Sequence, residues 1–339
     1  MKNVALIDAD ILCFRAAIAS QTVVDFGGDV YAHSGDAKAA RDRADMEVSQ
    51  LMQATNAIDA VLCLSDGKRN WRKEFTASMP AELRYKANRS SVKPDVYFQV
   101  RAHVEEKYKT RWMPRLEADD VLGILATAPK LQKDKRRLIV VSVDKDLKTV
   151  PGFLYNPGHP DDGIQHISPA VAHRNHMLQT LMGDRSDNFP GCPGVGKVGA
   201  EKILDGAIGG NLWGAVVWAF EAKGLPEAAA LVQARLARIL QHGEYDQHTY
   251  EVKLWNPNAR IEKTAPPKTS SRKTPASEKT SRRAPAGTRA AAKAASTSSR
   301  PRSSSASRKS TNAAQRSTAI GTGRKASRSR ASSTARSDT

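Results

Sequence analysis

Three short, largely apolar runs in the chain each end in acidic residues. They are Val4–Ile7 before Asp8 and Asp10, Ala60–Leu64 before Asp66, and Arg137–Val143 before Asp144 and Asp146. Runs of this kind indicate strands buried on both faces, and the helical patterns between them predict an α/β fold with a parallel sheet covered by helices. Parallel strands place their carboxyl ends at one edge of the sheet, so we expect these acids to lie together there.

Further acids follow in two short clusters. The complete set of candidate metal ligands is Asp8, Asp66, Glu117, Asp119, Asp120, Asp144, Asp146, Asp184 and Asp187. Helix capping could explain any one of them alone, but it does not explain acids at three strand ends and in a glycine turn. Many carboxylates at one point stay ionised only when cations neutralise them, and oxygen ligands without cysteine favour Mg²⁺ or Mn²⁺ over zinc. Two such ions can activate a water molecule and stabilise a leaving oxygen, so the acids indicate metal-dependent phosphoester chemistry.

A basic stretch, residues 67–115, separates the second strand from the next acids. It holds 13 Lys and Arg residues against five acids, and it mixes cations such as Lys68 and Arg72 with aromatics such as Tyr85. Cations neutralise phosphates and aromatic rings stack on unpaired bases, so the stretch favours nucleic-acid binding. A solvated helical surface is the alternative interpretation.

A glycine-rich turn within residues 191–204 contains Gly194, Val195, Gly196 and Lys197. Glycines allow backbone N–H groups to approach a phosphate at the start of a helix, and Lys197 can add a charged contact. The spacing is not that of a Walker loop. It is typical of a helix–hairpin–helix clamp on a nucleic-acid backbone, although a simple helix cap would also account for it.

The chain divides into three predicted regions. Residues 1–168 form an α/β core, residues 169–262 a helical DNA-binding region, and residues 263–339 a tail. The tail carries 19 Lys and Arg residues against two acids, and Ile320 is its only large aliphatic residue, which predicts disorder and salt-sensitive affinity for DNA. The rest of the chain is nearly neutral, with 34 basic and 33 acidic residues.

Other classes of protein are disfavoured by the composition. The three cysteines, Cys13, Cys63 and Cys192, are widely spaced, which argues against a disulfide framework and a zinc site. The sequence shows no signal peptide and no apolar run of about 18 residues that could span a membrane. We therefore expect a cytoplasmic protein with no membrane partner.

The motifs together resemble the structure-specific 5′-3′ exonuclease and flap endonuclease family, which includes phage exonucleases and the N-terminal nuclease domain of bacterial DNA polymerase I. The matching pieces, which lie within about residues 3–255, are Leu6–Asp8, Leu64–Gly67, Tyr85–Arg89, Leu116–Leu122, Ser142–Leu147 and Gly183–Gly191 running into Gly194–Gly196. The resemblance implies a PIN-like sheet with a helical arch over the site. It also implies hydrolysis from the 5′ ends of duplex or flapped DNA, in phage replication, primer removal or recombination.

The same resemblance implies roles for individual residues. One metal ion would be held mainly by Asp8, Asp66, Glu117 and Asp119, and a second by Asp119 or Asp120 with Asp144, Asp146, Asp184 and Asp187. Lys86 and Arg89 would hold the scissile phosphate, and the Gly194–Lys197 turn would hold the duplex and could bind K⁺. The expected partner is DNA with a 5′ end, nick or flap, or an RNA–DNA hybrid, and the expected state is a monomer.

Two other functions compete with the nuclease hypothesis. The Asp8-Ala9-Asp10 start resembles the nucleophile motif of haloacid-dehalogenase-type phosphatases, but that hypothesis leaves the basic stretch and most of the acids unexplained. A non-catalytic DNA-end binding protein with the same fold would need an incomplete acid set, and here every expected acid is present.

Overall fold

A six-stranded sheet carries the first half of the chain. The computed structural model describes residues 2–25, 27–28, 31–89, 92–131 and 136–258. The strands of the sheet are β1 (Lys2–Asp8), β4 (Ala57–Cys63), β5 (Thr110–Arg111), β6 (Arg136–Val141), β7 (Gly152–Tyr155) and β8 (Ile164–Ile167), and β2 (Gln21–Asp25) and β3 (Tyr31–Gly35) form a separate hairpin. The order in the sheet is β5-β4-β1-β6-β7-β8.

Strand β1 positions the acids because β4 and β6, its two neighbours in the sheet, both run parallel to it. Asp8 is in register with Cys63 of β4, and Ile7 is in register with Val141 of β6. The three strands therefore end at the same edge, as the sequence predicted. Strand β8, which the sequence analysis did not identify, runs antiparallel to β7 and closes the far side of the sheet.

Nine α-helices surround the sheet and extend beyond it in the described part of the chain. They are α1 (Ala9–Ile18), α2 (Ala37–Ala54), α3 (Trp71–Phe75), α4 (Tyr97–Lys107), α5 (Ala118–Ala126), α6 (Pro169–Met182), α7 (Lys197–Asp205), α8 (Leu212–Glu221) and α9 (Glu227–Ala237). The sequence patterns predict a helix at Pro169–Met182, which agrees with α6. They also predict helices at Ile11–Ala19, Asp36–Asn56, Ala118–Ala128, Lys197–Leu204, Asn211–Lys223 and Pro226–Gln241, and the structure has a helix at each with ends shifted by up to four residues.

The two faces of the sheet belong to two apolar clusters. Val4 and Leu6 of β1 pack in one cluster with residues of α5, whereas Ala5 and Ile7 pack in the other with residues of α1 and α2. This alternation is what a strand buried on both faces requires. The mixed α/β class is therefore confirmed.

The segment that follows α9 connects the helical region to the sheet. Ile239 and Leu240 belong to the same apolar cluster as α5. A Cβ added to Gly123 of α5 would lie 2.3 Å from the carbonyl oxygen of Leu240, so only glycine allows this approach. The boundary near residue 168 stays a prediction.

The basic stretch contains helices near both of its ends. Helix α3 lies near its start and α4 near its finish, with a 3₁₀-helix at Ala81–Leu83 between them. Helix α4 buries Tyr97, Val100 and Val104 in the apolar cluster of α1 and α2. Much of the stretch is therefore packed on the body.

The basic tail, residues 263–339, lies outside the described residues, so its predicted disorder stays a prediction. Among the residues that the structure does describe, no helix has the length and apolarity needed to cross a bilayer.

Candidate active site

Asp8 occupies the carboxyl end of β1 and begins α1. Its Oδ1 accepts the backbone N–H of Ile11 at 3.2 Å as the helix N-cap, and its Oδ2 accepts the Ser142 hydroxyl at 2.9 Å. The same Ser142 oxygen accepts the backbone N–H of Asp144 at 3.1 Å. One hydroxyl thus joins the end of β1 to the turn that follows β6.

Asp8 and Asp119 both have raised pKa values. Burial, and then the negative charge of Asp10, raises the pKa of Asp8 to about 7. Burial raises the pKa of Asp119 well above its usual range, and the charges of Asp8, Asp144 and Glu117 add to this. These side chains therefore lie close enough to repel one another, and this set lacks enough positive charge.

A second group of acids lies on the β6 side. Burial and the charge of Asp144 raise the pKa of Asp146 to about 6, and Asp184 adds to the effect. Lys145 Nζ lies 2.8 Å from Oδ2 of Asp184. Burial raises the pKa of Asp184, but Lys145 and Ser186 outweigh it by hydrogen bonding and lower the pKa to about 2.

Asp184 and Asp187 are presented by a tight loop, which leaves α6 at Gly183 and returns at Gly191. Asp184 and Phe189 exchange backbone hydrogen bonds of 2.8 and 3.0 Å across it. Gly183 and Gly191 both have positive φ, and a Cβ on Gly191 would lie 2.3 Å from the Gly183 nitrogen. The glycines are thus required for the close approach that turns both acids toward the sheet.

Glu117 lies between several cations. It forms a hydrogen-bonded ion pair with Lys86 and a 3.0 Å ion pair with Arg72. Burial raises its pKa, but Lys86 and Arg72 outweigh the burial and lower the pKa to about 2. Lys86 Nζ also lies 3.8 Å from Asp187, whose Oδ1 accepts Arg89 Nη2 at 2.6 Å. Lys86 and Arg89 therefore face the acids, as expected for groups that bind a phosphate there.

Asp120 differs from its predicted role as a metal ligand. It is fully buried, and Arg72 binds both of its oxygens, at 2.7 and 2.8 Å. Trp71 Nε1 and the backbone N–H of Leu240 also donate to it, at 2.9 and 3.1 Å. Four donors from within the protein satisfy this carboxylate, so its role is to neutralise Arg72.

The predicted DNA contacts of Arg72 and Tyr85 are also corrected. Arg72 is 3 % exposed and donates further hydrogen bonds to the carbonyl oxygens of Leu236 and Arg238. Tyr85 is 4 % exposed, and its hydroxyl donates to Asp187 at 2.6 Å. A buried guanidinium and a buried ring cannot reach a phosphate or stack on a base. Both side chains instead hold site acids in place, since Arg72 binds Glu117 and Asp120 and Tyr85 binds Asp187.

The remaining predicted contacts are on the surface. Lys68 is exposed beside Asp66. Asp66 accepts the backbone N–H groups of Lys68 and Arg115, at 2.9 and 2.8 Å, and so fixes the loop after β4. At the turn before α7, Gly194, Gly196 and Lys197 are exposed, while Val195 packs against the helical core.

Several functional candidates were missed by sequence reasoning. Ser142 and Lys145 bind site acids, and Arg101 Nη1 lies 3.7 Å from Asp10 while its Nη2 donates to the Ser65 carbonyl. Ser142 and Lys145 stand inside the Ser142–Leu147 motif, so that motif was the available signal. Nothing local in the sequence marks Arg101.

The acid set fits oxygen-ligated divalent cations. In the described part of the chain, no three Asp, Glu, His or Cys side chains form a ready-made metal site. The raised pKa values of Asp8, Asp119 and Asp146 nevertheless show carboxylates that lack compensating charge. A divalent cation would supply it, and the donors are all oxygens, as Mg²⁺ and Mn²⁺ prefer.

Replacing Asp120 with Ala should destabilise the protein by ~3–5 kcal/mol, because Arg72 would remain buried without its partner. Replacing Arg72 with Met and Asp120 with Leu together should restore much of that loss. Urea unfolding of the wild type, of Asp120→Ala and of the double variant measures the free energy of unfolding of each. Equal stability of Asp120→Ala and the wild type would contradict the structural role of Asp120.

Without metal, stability should fall as pH rises from about 4 to 7. The folded protein holds a proton on Asp8 in this range, but the unfolded chain does not, so ionisation destabilises the fold. Asp119 and Asp146 also have raised pKa values and add to the slope, so Asp8→Asn should make it shallower without removing it, and should stabilise the protein at pH 8 by ~2–4 kcal/mol. Denaturant unfolding in EDTA across this pH range tests it, and an upward slope in the wild type would contradict it.

Known proteins with similar sequences include two phage exonucleases. Residues 3–151 match the family described as 5′-3′ exonuclease, N-terminal resolvase-like domain. The exodeoxyribonuclease of Enterobacteria phage T3 is 28% identical over 295 residues, which cover 76% of this chain and 94% of that protein. The exonuclease of Escherichia phage T7 is 28% identical over 294 residues, with the same coverage.

The fold has a similar counterpart among solved structures. The T5 5′-exonuclease with divalent metal ions (zinc) bound superimposes with a TM-score of 0.50 and 16% identity, over 70% of this chain and 89% of that protein. This likeness concerns the fold, and the sequence matches concern the family. The similarity to the 5′-3′ exonuclease family covers residues 3–151 of this chain.

Proposed function

We propose that this protein is a metal-dependent 5′-3′ exodeoxyribonuclease that hydrolyses phosphodiester bonds from the 5′ ends of duplex or flapped DNA. The observation that carries the proposal is the meeting of Asp8, Asp119 and Asp144 at one sheet edge with Lys86 beside them. Relatives named exonuclease and exodeoxyribonuclease, which align over nearly their whole length, support it.

The acids divide into two sets that would hold two divalent cations, Mg²⁺ or Mn²⁺. The first set is Asp8, Glu117, Asp119 and Asp144, and the second is Asp144, Asp146 and Asp184. Asp66, which fixes the loop after β4, and Asp187, which lies 3.8 Å from Lys86, belong to neither set. Bound divalent cations lower the pKa of a water molecule and stabilise the leaving oxygen of a phosphoester.

The protein's own cations would orient the scissile phosphate. Lys86 is partly buried next to Glu117, and Arg89 is half-exposed next to Asp187, so both charges face the point where the acids meet. A phosphate bound there would receive charge-assisted hydrogen bonds that stabilise the negative charge developing on its oxygens. Tyr85 and Arg72 would hold Asp187 and Glu117 in place.

The surface near α7 would bind the duplex beyond the cleavage point. The exposed N-terminus of α7 has no side-chain cap, and Lys197 begins the helix. Backbone N–H groups in such a turn suit a phosphate, and its carbonyl groups suit K⁺. We extend the proposal to this role for residues 169–262, to RNA–DNA hybrids as additional substrates and to a monomeric protein. The phosphatase hypothesis has no comparable support, because it gives no role to Asp119, Asp144 or Lys86, whose charges interact at the site.

Asp144→Asn should lower cleavage at least about 100-fold while DNA affinity stays within a few-fold of wild type, because one ligand charge is lost but the basic surface is unchanged. Digestion of a 5′-labelled duplex in Mg²⁺, with DNA binding measured alongside, tests this. Asp161→Asn, an exposed acid outside the predicted set of metal ligands, is the control. Cleavage by Asp144→Asn at the wild-type rate would refute the assignment.

Deleting residues 263–339 should weaken DNA binding at low salt and flatten its salt dependence, because the tail carries 19 cations. The turnover number at saturating DNA should be unchanged. Binding titrations at several salt concentrations, together with steady-state cleavage, measure both. Complete loss of turnover in the shortened protein would contradict an accessory role for the tail.

A further inference from the structure

Trp112 stands at the same sheet edge as the acids but has no role in the site described so far. It directly follows β5, the edge strand, whose Arg111 carbonyl accepts the backbone N–H of Leu64 at 2.9 Å. The next residue, Met113, is 2 % exposed, whereas Trp112 is 50 % exposed. The chain thus turns Met113 into the core and Trp112 toward solvent.

The loop that carries Trp112 is tied to the loop that carries Asp66. The backbone N–H of Arg115 donates to Asp66 at 2.8 Å, and the N–H of Asp66 donates to the Leu116 carbonyl at 2.8 Å. The loop that carries Trp112 therefore lies next to the loop that carries Asp66 at this edge. A molecule bound at the acids could extend onto this face.

A second exposed aromatic residue is held beside this loop. The Arg115 guanidinium donates to the Tyr250 carbonyl at 2.7 Å, and the Tyr245 hydroxyl donates to the Pro114 carbonyl at 3.0 Å. Tyr250 is 47 % exposed. Trp112 and Tyr250 thus lie on two segments that the protein fastens to one another.

Exposed cations flank this loop, although Arg69 and Arg115 are both paired with Glu74, at 2.7 and 2.8 Å. Arg111 is exposed beside Trp112, and Lys68 and Arg69 are exposed in the loop after Asp66. Large exposed aromatic residues on a soluble protein mark interaction sites, and cations around them favour a polyanion. Aromatic rings flanked by cations are the means by which proteins bind unpaired bases of single strands without sequence preference.

We infer that Trp112 is a stacking site for an unpaired nucleobase of the DNA strand bound at the acid edge, with Arg111 beside the adjacent phosphate. This inference rests on the proposed function, because it assumes that DNA lies at this edge. It assigns the protein a subsite for single-stranded DNA that lies next to Asp66 and is separate from Lys86 and Arg89.

The test compares binding of two DNAs to the full-length protein, with Ca²⁺ in place of Mg²⁺. One is a blunt duplex and the other is the same duplex with a five-nucleotide single-stranded 5′ overhang. Wild-type protein should bind the overhang more tightly. Trp112→Ala should reduce this preference by about 5- to 50-fold, the range expected for loss of one stacked base, and Trp112→Phe should keep most of it.

Phe14→Ala is the control, because Phe14 is 39 % exposed and lies on α1, outside the regions proposed to bind DNA. It should leave the preference unchanged. An unaltered preference in Trp112→Ala, or an equal loss of affinity for both DNAs, would overturn the inference. So would a protein dimer that Trp112→Ala dissociates, because the face would then bind a second copy of the chain. Failure of the wild-type protein to cleave DNA in Mg²⁺ would instead count against the proposed function.

Discussion

The mutual repulsion of carboxylates at one edge of the sheet is the constraint on which the site depends. Parallel strands β4, β1 and β6 direct their carboxyl ends to the same place, and acids follow each of them. In the folded chain this repulsion is only partly relieved. Lys86 pairs with Glu117 and more distantly with Asp187, and Lys145 pairs with Asp184 and more distantly with Asp146. Asp8, Asp119 and Asp146 nevertheless keep raised pKa values. The protein therefore keeps a site that is electrostatically costly alone and favourable once cations bind.

A buried ion pair between Arg72 and Asp120 supports this site from within the protein. Arg72 binds Asp120 and Glu117 of the α5 segment. It also donates to the backbone carbonyls of Leu236, at the end of α9, and Arg238, just after it. It thus connects the basic stretch, the acids and the helical region through one side chain. Loss of either Arg72 or Asp120 alone would leave an unpaired charge in the core. We therefore expect replacement of either residue to destabilise the protein strongly.

The sequence predicted those parts of the molecule whose signals are local. Apolar runs with acids at their ends identified β1, β4 and β6, and Ser168 before Pro169 with Gly183 after Met182 gives α6 a clear start and stop. Strands β7 and β8 have only four residues each, too short for a periodic pattern.

Local sequence patterns could not predict the roles of Asp120, Arg72 and Tyr85. Asp120 stands beside Asp119 in the sequence, yet the helix turns one toward the acids and the other toward Arg72. The carbonyl groups that Arg72 binds, those of Leu236 and Arg238, are 164 and 166 residues away in the chain. Whether an arginine in a basic stretch faces DNA or the core is decided by such distant contacts.

Anomalous diffraction from crystals of the protein soaked in Mn²⁺ tests the central claim most directly. We predict manganese signal at the carboxyl edge of the sheet, contacted by Asp8, Asp119 and Asp144 and by Asp146 and Asp184, with none at Asp120. An edge without manganese, or manganese bound by Asp120 after the Arg72 pair has opened, would contradict the account.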